Sequence, residues 1–574
     1  MYFILAIILA ISFCIQSEDV RASNTNGSLT GSPFEFYEPL ASLQADIGAL
    51  ERKYSIRESE EYYDRMQTLY EDWQSFLDAI DYYALSPEAR VDYHLLRNYL
   101  KRRLYLLQKD KGEFLEVSHV TGFAEELYEF IRNRRRGMPP DPEMTARIFY
   151  QAAEDVKEEV SRLEAGEPFD TWMQAEKAAD VIASLHENLE EAYNFYYSYD
   201  PEFTWWAEKP FTELLELLRD YEEMAGEHFI DDPSFDDGSG ITGRRAGRED
   251  LEKRLALEYI PYTIEELIEI GNSQFEWCRA EMLKASNELG FGDDWRAALE
   301  YVKDQHVPPG RQPEAVNNLA EESIAFLEAH DLLTIPELAK ETWRMLMMSP
   351  ERQRYAPFFL GGEAIHMSYP THTMGHAEKV MSMRGNNPHF SMATVHHELI
   401  PGHHFQFFIN QRSKPYRRMF STPFWLEGWA LYWEFLLYDM GFPQTPEDRI
   451  GFLFWRSHRA ARIIFTLNYQ MGNMTPQECI DFLVNEVGHE RINAEAEVRG
   501  HVRGSNPLYQ ISYMIGGLQF KALREEVLGQ GIMEEKEFHD RILKENNMPV
   551  ELLRTVLKGE ELPRDFESSW KFPY

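Results

Sequence analysis

The sequence predicts a mostly α-helical protein, built as two large helical lobes with few short strands. From about residue 36 to 230, apolar residues recur three and four positions apart, as in YHLLRNYLKRRLYLLQ at 93–108, which is the period of an amphipathic helix. Helical periodicity resumes near residue 260, where Thr263 and Glu266 have the spacing of a capping box. Period-two runs rich in Val, Ile and Thr, which would indicate strands, are scarce.

The two lobes are predicted at residues 36–235 and 250–574. The stretch DDPSFDDGSGITGRRAGRED at 231–250 is rich in Asp, Gly and Ser, a composition typical of loops. The second lobe is predicted to carry the functional site. Its later helices are expected at 423–440, 450–470, 475–487, 507–528 and 533–545.

Residues 1–22 are predicted to be a signal peptide, followed by a linker at 23–35. The apolar run at 2–15 is short for a membrane span, and Val20-Arg21-Ala22 has the small-residue pattern of a cleavage site. No Lys or Arg precedes the run, so a retained membrane anchor is the alternative. Cys14 would suit lipid attachment, but the bulky Phe13 precedes it. We therefore expect an exported protein, periplasmic or extracellular, with no stable membrane insertion after cleavage.

The chain is strongly acidic and poor in cysteine. Its net charge is −39, from 97 acidic and 58 basic side chains. The negative electrostatic field of such a chain repels nucleic acid and anionic lipid surfaces, so neither is predicted as a partner. After the signal peptide only Cys278 and Cys479 remain, in no Cys-x-x-Cys pattern. Any bound metal is therefore expected to be held by histidine and carboxylate side chains.

The segment VHHELIPGHHFQ at 395–406 nearly matches the zinc-binding helix signature His-Glu-x-x-His. In that signature two histidines one turn apart bind zinc, and the glutamate polarises a water molecule. His397 and Glu398 fit the first half, but Pro401 stands where the second histidine is expected.

A break in the helix could restore a second ligand. On a regular helix His403 would lie about 9 Å along the axis from His397, too far to share a metal ion. Pro401 removes a backbone donor and Gly402 permits unusual backbone angles. We therefore expect the helix to widen or break and to bring His403 back to the metal, with His404 as the alternative ligand.

A third ligand is predicted in STPFWLEGWALYWEFLLYDMG at 421–441. Glu427 and Glu434 are seven residues apart on an otherwise apolar helix, and hence on one face. Buried carboxylates need a cation or a hydrogen-bonded partner. We expect Glu427 to bind the metal and Glu434 to hold a ligand histidine by its other ring nitrogen.

Four motifs resemble the bacterial Domain of Unknown Function 885 family: HHELIPGHHFQ, FWLEGWALYWE, SYMIGGLQFKALREE and EFHDRILKENNMPVELL. The resemblance covers about residues 40 to 560 and implies an α-helical relative of the gluzincin metallopeptidases. LEGWALYWE is also similar to the aminopeptidase segment whose glutamate binds zinc, which supports Glu427. One departure is that Thr466 and Gln470 stand where the family commonly has Asp and His. If those groups bind substrate termini, this chain belongs to a subgroup with altered specificity.

The predicted function is a zinc-dependent hydrolase with one zinc per chain, and first of all a peptidase of the oligopeptidase, carboxypeptidase or dipeptidase type. The substrate is then a peptide or a small amide. Glu398 is the expected general base. Tyr513 is the first choice for the oxyanion donor and Tyr509 the second choice, or a substrate-binding group. Arg384 is a candidate for binding a substrate carboxylate, with an ordinary surface salt bridge as an equally favoured alternative. The oligomeric state is not predicted.

Two alternatives stand beside this prediction. One is a metal-binding hydrolase of another amide or ester, and the other is an exported binding protein with a vestigial site. A binding site has no need of a base directly after a ligand, so Glu398 favours an enzyme. Other polar residues are less decisive. The upstream histidines are expected to form a pocket wall rather than a second metal site, and three arginines one turn apart are either substrate-binding or structural: His366, His372, His376 and His389, and Arg456, Arg459 and Arg462.

Overall fold

The computed structural model describes residues 35–166, 168–230, 236–353, 356 and 358–573. The predicted signal peptide and nearly all of the predicted linker lie outside these residues. Within the described ranges, no helix is both long enough and apolar enough to cross a membrane.

The prediction of a mostly α-helical fold is confirmed, because helices α1–α23 account for most of the described chain. The helices before the predicted boundary are α1 Tyr37–Lys53, α2 Glu60–Asp78, α3 Pro87–Val117, α4 Glu125–Arg135, α5 Pro142–Ala165, α6 Trp172–Tyr196 and α7 Pro201–Glu227. The helices from there to the first histidine-rich helix are α8 Gly247–Leu257, α9 Ile264–Glu288, α10 Trp295–Lys303, α11 Gln312–Ala329, α12 Glu337–Thr342, α13 Pro350–Gln353, α14 His376–Gly385 and α15 Pro388–Glu398. The remaining helices are α16 His403–Asn410, α17 Pro423–Asp439, α18 Pro446–Gln470, α19 Pro476–Phe482, α20 Arg491–Val502, α21 Ser512–Gly529, α22 Glu535–Glu545 and α23 Val550–Lys558. Strands β1 (Met345–Met347) and β2 (Ile365–Met367) pair in parallel.

Helix starts in the chain carry the expected capping chemistry. The Thr263 side chain accepts from the backbone N–H of Glu266, and the Glu266 side chain accepts in return from the backbone of Thr263, so the predicted capping box is confirmed. Such caps satisfy backbone donors that have no partner inside the helix. The predicted helix at 507–528 begins later, at Ser512, and Tyr509 lies in the turn before it.

The hydrophobic core continues across the predicted lobe boundary. One cluster of buried side chains includes Leu96 of α3, Trp425 of α17 and Leu553 of α23. A buried ion pair crosses the same division, because the Arg417 Nε donates to Asp92 Oδ1 at 2.7 Å. The described part of the boundary before α8 is irregular, as predicted. Whether the lobes are separate folding units stays a prediction.

Helices α17 and α21 touch backbone to backbone. A Cβ added at Gly428 would lie 2.6 Å from the Gly516 Cα, and one added at Gly516 would overlap the Phe424 carbonyl oxygen. Any larger side chain would therefore push the helices apart. This contact brings Glu427 of α17 beside the two tyrosines at the start of α21.

Candidate metal centre

The histidine-rich segment folds as two helices separated by a break. Helix α15 ends at Glu398 and α16 begins at His403, and the Ile400–Pro401 peptide bond is cis. A Cβ at Gly402 would overlap the carbonyl oxygen of His397, so only glycine fits there. The Trp429 indole N–H donates to the Pro401 carbonyl at 2.8 Å and fixes the break to α17. The predicted helix break is confirmed.

The break brings three side chains to one point. Glu427 Oε2 lies 3.6 Å from His397 Nε2 and 3.1 Å from His403 Nε2. One ligand atom from each of the three lies within 4.8 Å of the others, and all three side chains are buried. Ligand atoms at zinc bonding distance in a tetrahedral site are roughly 3.3–3.6 Å apart. The spacing and the donor types therefore fit a zinc ion, and we call these three residues the 397/403/427 cluster.

Each histidine of the cluster has its other ring nitrogen occupied. His397 Nδ1 lies 2.7 Å from Glu434 Oε1, as the sequence predicted. His403 Nδ1 lies 3.0 Å from Gln406 Oε1, a contact that the sequence analysis missed. The sequence signal for this contact was that His403 and Gln406 are three residues apart on one short helix, a spacing at which side chains can meet. Both contacts leave Nε2 facing Glu427, which is the arrangement that orients metal-binding histidines.

His404 points away from the cluster. Its Nε2 lies 3.0 Å from the Ala339 carbonyl oxygen, and its Nδ1 lies 3.3 Å from the Glu363 carbonyl oxygen. The alternative assignment of His404 as a ligand is therefore wrong for this structure. The residue after a helix start faces a different direction from its neighbour, so only one of the two histidines can turn inward.

In the 397/403/427 cluster, the histidines and the carboxylates stabilise each other's charged forms. Burial lowers the pKa of His397, but hydrogen bonds to Glu427 and Glu434 outweigh it and raise the pKa to about 9. Burial raises the pKa of Glu427, but His403 and His397 together hold it well below its usual range. Glu427 is thus an anion that needs positive charge beside it, which is what a metal ion provides.

Glu398 is buried next to the cluster without a hydrogen-bonded partner. Its side chain is 7% exposed, and among the described residues its carboxylate accepts no hydrogen bond. Burial is the largest cause that raises its pKa. A Cβ at Gly361 would overlap Glu398 Oε2 and would lie 2.9 Å from His403 Cβ. Gly361 therefore lets a loop pass closely over the general-base candidate.

The two tyrosines take different positions at the cluster. The Tyr509 hydroxyl donates to Glu427 Oε1, so it orients a candidate ligand. The Tyr513 ring stacks on the His397 ring, with centroids 6.0 Å apart and planes 11° from parallel. Burial and then Glu427 raise the pKa of Tyr513, so its hydroxyl keeps its proton at neutral pH and can donate.

Arg384 does not join the site. Its guanidinium forms ion pairs with Glu300 and Asp304, and its Nε lies 3.3 Å from Glu490 Oε1. Three carboxylates already occupy the group that was predicted to bind a substrate carboxylate. Of the two interpretations of Arg384, the structure therefore shows the salt bridge, because acidic residues in and next to α10 and just before α20 surround this side chain.

Two of the upstream histidines line a cavity, as predicted. His372 and His376 border a cavity of about 480 Å³ together with Tyr369 and Met383. The other two lie elsewhere: His366 is in β2, and His389 Nδ1 lies 2.6 Å from Asp448 Oδ1. No further metal-type group of three His, Cys, Asp or Glu side chains occurs in the part of the chain that the structure describes.

A second buried group of histidines, which the sequence analysis missed, surrounds Glu497. Glu497 Oε1 lies 2.7 Å from His501 Nε2 and 3.2 Å from His458 Nε2, and it accepts from Arg462 Nε at 2.6 Å. His489 Nε2 lies 2.8 Å from His458 Nδ1. We call these residues the Glu497 cluster. Its only sequence signal was Glu497 and His501 one turn apart on a helix.

Thr466 and Gln470, the two positions predicted to set this chain apart, have structural contacts. Thr466 Oγ1 lies 3.1 Å from His501 Nδ1, and Gln470 Oε1 accepts from the Ala246 backbone N–H at 2.7 Å. Gln470 also borders a cavity of about 1180 Å³ that lies between α2, α3 and α6 and the ends of α18 and α20. None of the three candidate ligands borders this cavity.

Fold and site together define a large α-helical protein with a buried His-His-Glu centre. Residues 44–557 match the family described as "Bacterial protein of unknown function (DUF885)". The chain therefore belongs to this family, as its motifs indicated. A comparison with curated proteins found no match.

Two solved structures share the fold. A candidate lipoprotein of unknown function from Shewanella oneidensis superposes with a TM-score of 0.64 at 18% identity, over 92% of this chain and 99% of its own. A candidate lipoprotein from Colwellia psychrerythraea gives a TM-score of 0.51 at 16% identity, over 68% of this chain and 70% of its own. At these identities the likeness establishes the fold alone.

Proposed function

We propose that this protein is a zinc-dependent hydrolase of peptides, with one zinc ion held by His397, His403 and Glu427. One observation carries the proposal: Glu398 follows a candidate ligand directly, is buried, and has no hydrogen-bonded partner for its carboxylate among the residues that the structure describes. A site that only stores metal has no use for such a carboxylate. An ionisable group kept unpaired in a buried site is typical of acid–base catalysis.

Each residue of the site has a separate task in this proposal. Bound zinc supplies a Lewis acid that polarises a carbonyl and activates water near neutral pH. Glu398 takes the proton of the attacking water and passes it to the leaving amine. Tyr513 donates a hydrogen bond to the oxygen that becomes negative. Glu434 and Gln406 keep the two histidine rings in place.

The choice of peptides over other amides or esters rests on one support. The motifs resemble those of gluzincin-like peptidases, whose substrates are peptides. The cavity of about 1180 Å³ beside the end of α18 does not contribute to this choice, because none of the candidate ligands borders it.

Export is a further part of the proposal. Both solved structures with this fold are named as candidate lipoproteins, and an apolar run with a cleavage-type pattern stands at residues 2–22. Mass spectrometry of the mature N-terminus would separate cleavage after Ala22 from a retained anchor. An uncleaved, membrane-bound chain would support the anchor instead.

The deciding experiment compares Glu398→Gln with the native chain. Zinc content is measured by mass spectrometry, and hydrolysis is measured on a library of short peptides. We expect about one zinc per chain in both proteins and a loss of roughly 10²–10⁴-fold in turnover for the variant. Glu561→Gln is the matched control, because that side chain is 81% exposed.

Three results would contradict parts of the proposal. Equal turnover in the Glu398→Gln variant would remove Glu398 as the base. Zinc binding with no hydrolysis of peptides, amides or esters would indicate a binding protein. Hydrolysis of simple esters or non-peptide amides alone would keep the site but change the substrate class.

A further inference from the structure

Two buried arginines of α18 lie directly behind the candidate oxyanion donor. The guanidinium carbon of Arg459 is 4.7 Å from the Tyr513 ring centre, and that of Arg462 is 4.6 Å from it. Both side chains are almost completely buried, at 5% and 7% exposure. Because Tyr513 also stacks on His397, the same aromatic ring contacts both guanidinium groups and a candidate zinc ligand.

These two cations lack most of the partners that a buried guanidinium needs. Arg459 donates no hydrogen bond to any residue that the structure describes, and its closest carboxylate oxygen, Glu434 Oε1, is 3.8 Å away. Its Nε is buried without a partner. Arg462 donates from Nε to Glu497 at 2.6 Å, but its Nη1 is buried without a partner. Burying charge without hydrogen bonds is costly.

Arg417 shows how this fold satisfies a buried arginine whose role is structural. Its Nε donates to Asp92 at 2.7 Å, its Nη1 donates to Glu545 at 2.9 Å, and its Nη2 pairs with Glu88. Every nitrogen of that guanidinium is therefore directed at a carboxylate. Arg459, which is 5% exposed, has a carboxylate oxygen only at 3.8 Å and makes no hydrogen bond to any described carboxylate.

Arg456, one turn before Arg459, faces another part of the core. Its guanidinium carbon lies 3.9 Å from the Trp277 ring centre and 4.3 Å from the Phe435 ring centre. Its Nη2 donates to Gln274 at 2.9 Å. Its Nε and Nη1 are buried without a partner as well. The contact with Tyr513, and not the missing partners alone, therefore distinguishes Arg459 and Arg462 from Arg456.

We propose that Arg459 and Arg462 form a subsite for a carboxylate of the substrate. Guanidinium groups bind carboxylates by paired, charge-assisted hydrogen bonds, and the free donors of this pair are of that kind. The proposal rests on the proposed function and narrows it to peptides that carry a free carboxylate close to the scissile bond. A chain end one or two residues beyond that bond lies within roughly 7 Å of it. This length is comparable to the 6.0 Å between the Tyr513 and His397 ring centres and to the 4.6 Å from the Arg462 guanidinium to the Tyr513 ring centre.

Two sources could supply the carboxylate, and the test separates them. One is the C-terminus of a short peptide, and the other is an Asp or Glu side chain. If the subsite binds the C-terminus of the substrate, the enzyme is a carboxypeptidase or a dipeptidase. The second source would make it selective for acidic peptides of any length.

The experiment compares matched peptides that differ only in the carboxylate. One has a free C-terminus and neutral side chains, the second is its C-terminal amide, and the third is an amide with glutamate as the last residue. We expect the native protein to prefer one carboxylate-bearing peptide over the plain amide by roughly 30-fold or more in kcat/KM. Arg459→Gln should remove this preference, because it should slow the carboxylate-bearing peptide much more than the plain amide.

The variants include controls for folding and for charge. Arg459→Lys keeps the charge but loses the planar fork, so we expect a partial loss of the preference. Arg456→Lys is the matched control, because it is buried on the same helix but does not face Tyr513. Zinc content and melting temperature are measured for each variant. If Arg459 serves only to balance Glu434, Arg459→Gln will slow all three peptides equally, and the proposal falls.

A binding measurement gives a readout that needs no turnover. Isothermal titration compares N-acetylphenylalanine with N-acetylphenylalaninamide, and an N-acetylglutamate amide tests a side-chain carboxylate. Each is titrated into the native protein and into Arg459→Gln, with and without zinc. We expect tighter binding of a carboxylate-bearing ligand by the native protein and no such difference in the variant. Equal binding of all three ligands by the native protein would overturn the subsite.

The two proposals fail in different ways. If no peptide is hydrolysed but the carboxylate ligands bind through Arg459, the peptidase proposal fails and the subsite stands. If the native protein hydrolyses the plain amide as fast as the carboxylate-bearing peptides, the subsite fails and the peptidase proposal stands.

Discussion

Two buried histidine–glutamate clusters are built from the same residue types, and they are linked through the contact between Tyr513 and Arg462. In the 397/403/427 cluster, Glu427 faces two histidines and the Tyr509 hydroxyl. In the Glu497 cluster, the glutamate faces two histidines and accepts from the Arg462 guanidinium. The clusters differ in one partner, a tyrosine in the first and an arginine in the second.

That difference changes the charge balance of the two clusters. Burial raises the pKa of Glu497, but Arg462 and the histidines hold it well below its usual range. Its charge is therefore balanced by a hydrogen-bonded, permanent cation of the protein. Glu427 has two histidines as its closest cationic partners, and in the proposed zinc-bound state these would release their protons. The proposal of a metal site thus depends on the charge balance around the residues as well as on their types.

The largest expected effect is the loss of metal from one cluster and not from the other. Glu427→Ala should reduce zinc from about one per chain to none and abolish hydrolysis, because it removes both a ligand atom and a negative charge. Glu497→Gln should keep the zinc. Mass spectrometry of the purified proteins after zinc loading checks both. Zinc retained in Glu427→Ala would contradict the assignment.

Removing the metal should also lower stability. A chelator should reduce the free energy of unfolding by about 4 kcal/mol when free zinc had exceeded its dissociation constant 1,000-fold. Urea unfolding with and without the chelator measures this. The same chelator should leave the stability of Glu427→Ala unchanged.

Glu497→Gln should destabilise the fold although it keeps the zinc. It leaves Arg462 as a buried cation without its hydrogen-bonded carboxylate, a change that typically costs about 3–5 kcal/mol. Urea unfolding at pH 7 measures the loss. A change within about 0.5 kcal/mol would indicate that Arg462 finds another partner, and would weaken the contrast between the clusters.

The close contact of Gly428 with Gly516 between α17 and α21 should be needed to place Glu427 correctly in the 397/403/427 cluster. Gly516→Ala forces a methyl group against the Phe424 carbonyl, so we expect a loss of about 1–3 kcal/mol in stability and weaker zinc binding. Gly529→Ala is the control, since a Cβ at Gly529 meets nothing within 4 Å at the end of the same helix. Equal behaviour of the two variants would exclude a positioning role for the contact.

His539 shows a third setting for a buried histidine, with no carboxylate beside it. Its Nδ1 lies 2.7 Å from the Leu332 carbonyl oxygen and its Nε2 lies 2.6 Å from the Tyr432 hydroxyl. Burial lowers the pKa of His539 to about 3. At pH values between about 3 and 6.5 the unfolded chain binds a proton that the folded chain does not.

Stability should therefore be present above pH 6.5 and should fall as the pH decreases toward 3. His539 alone should account for about 2 kcal/mol of the loss between pH 6.5 and 5. Urea unfolding of the native chain and of His539→Gln at both pH values measures this, with the exposed His330→Gln as the control. An acid loss of the same size in His539→Gln would show that other groups cause it.

The smallest effect is expected at Arg384. Its ion pairs involve partly exposed carboxylates, and such pairs typically contribute about 0–1 kcal/mol. Arg384→Ala should change the stability by no more than that and kcat/KM by less than twofold. A large rise in KM would return Arg384 to the substrate-binding site.

Several features could be predicted from the sequence because they depend on spacing within one element. Glu427 and Glu434 share a helix face at seven residues apart, and both contact His397. The proline and glycine after Glu398 predicted a break, because neither residue suits a regular helix there. The Glu497 cluster could not be predicted, since its members come from α18, from α20 and from the residues before α20.

The sequence by itself therefore determined the helical class, the candidate ligand His397 with Glu398 beside it, and the position of the helix break. Only the tertiary structure decided that His403 turns inward and His404 outward, that Arg384 is held by acidic residues, and that Arg459 contacts Tyr513 without a hydrogen bond to any described residue. The reason is physical. Periodicity fixes which side of a helix a residue occupies, whereas the group that it meets there depends on how helices far apart in sequence pack together.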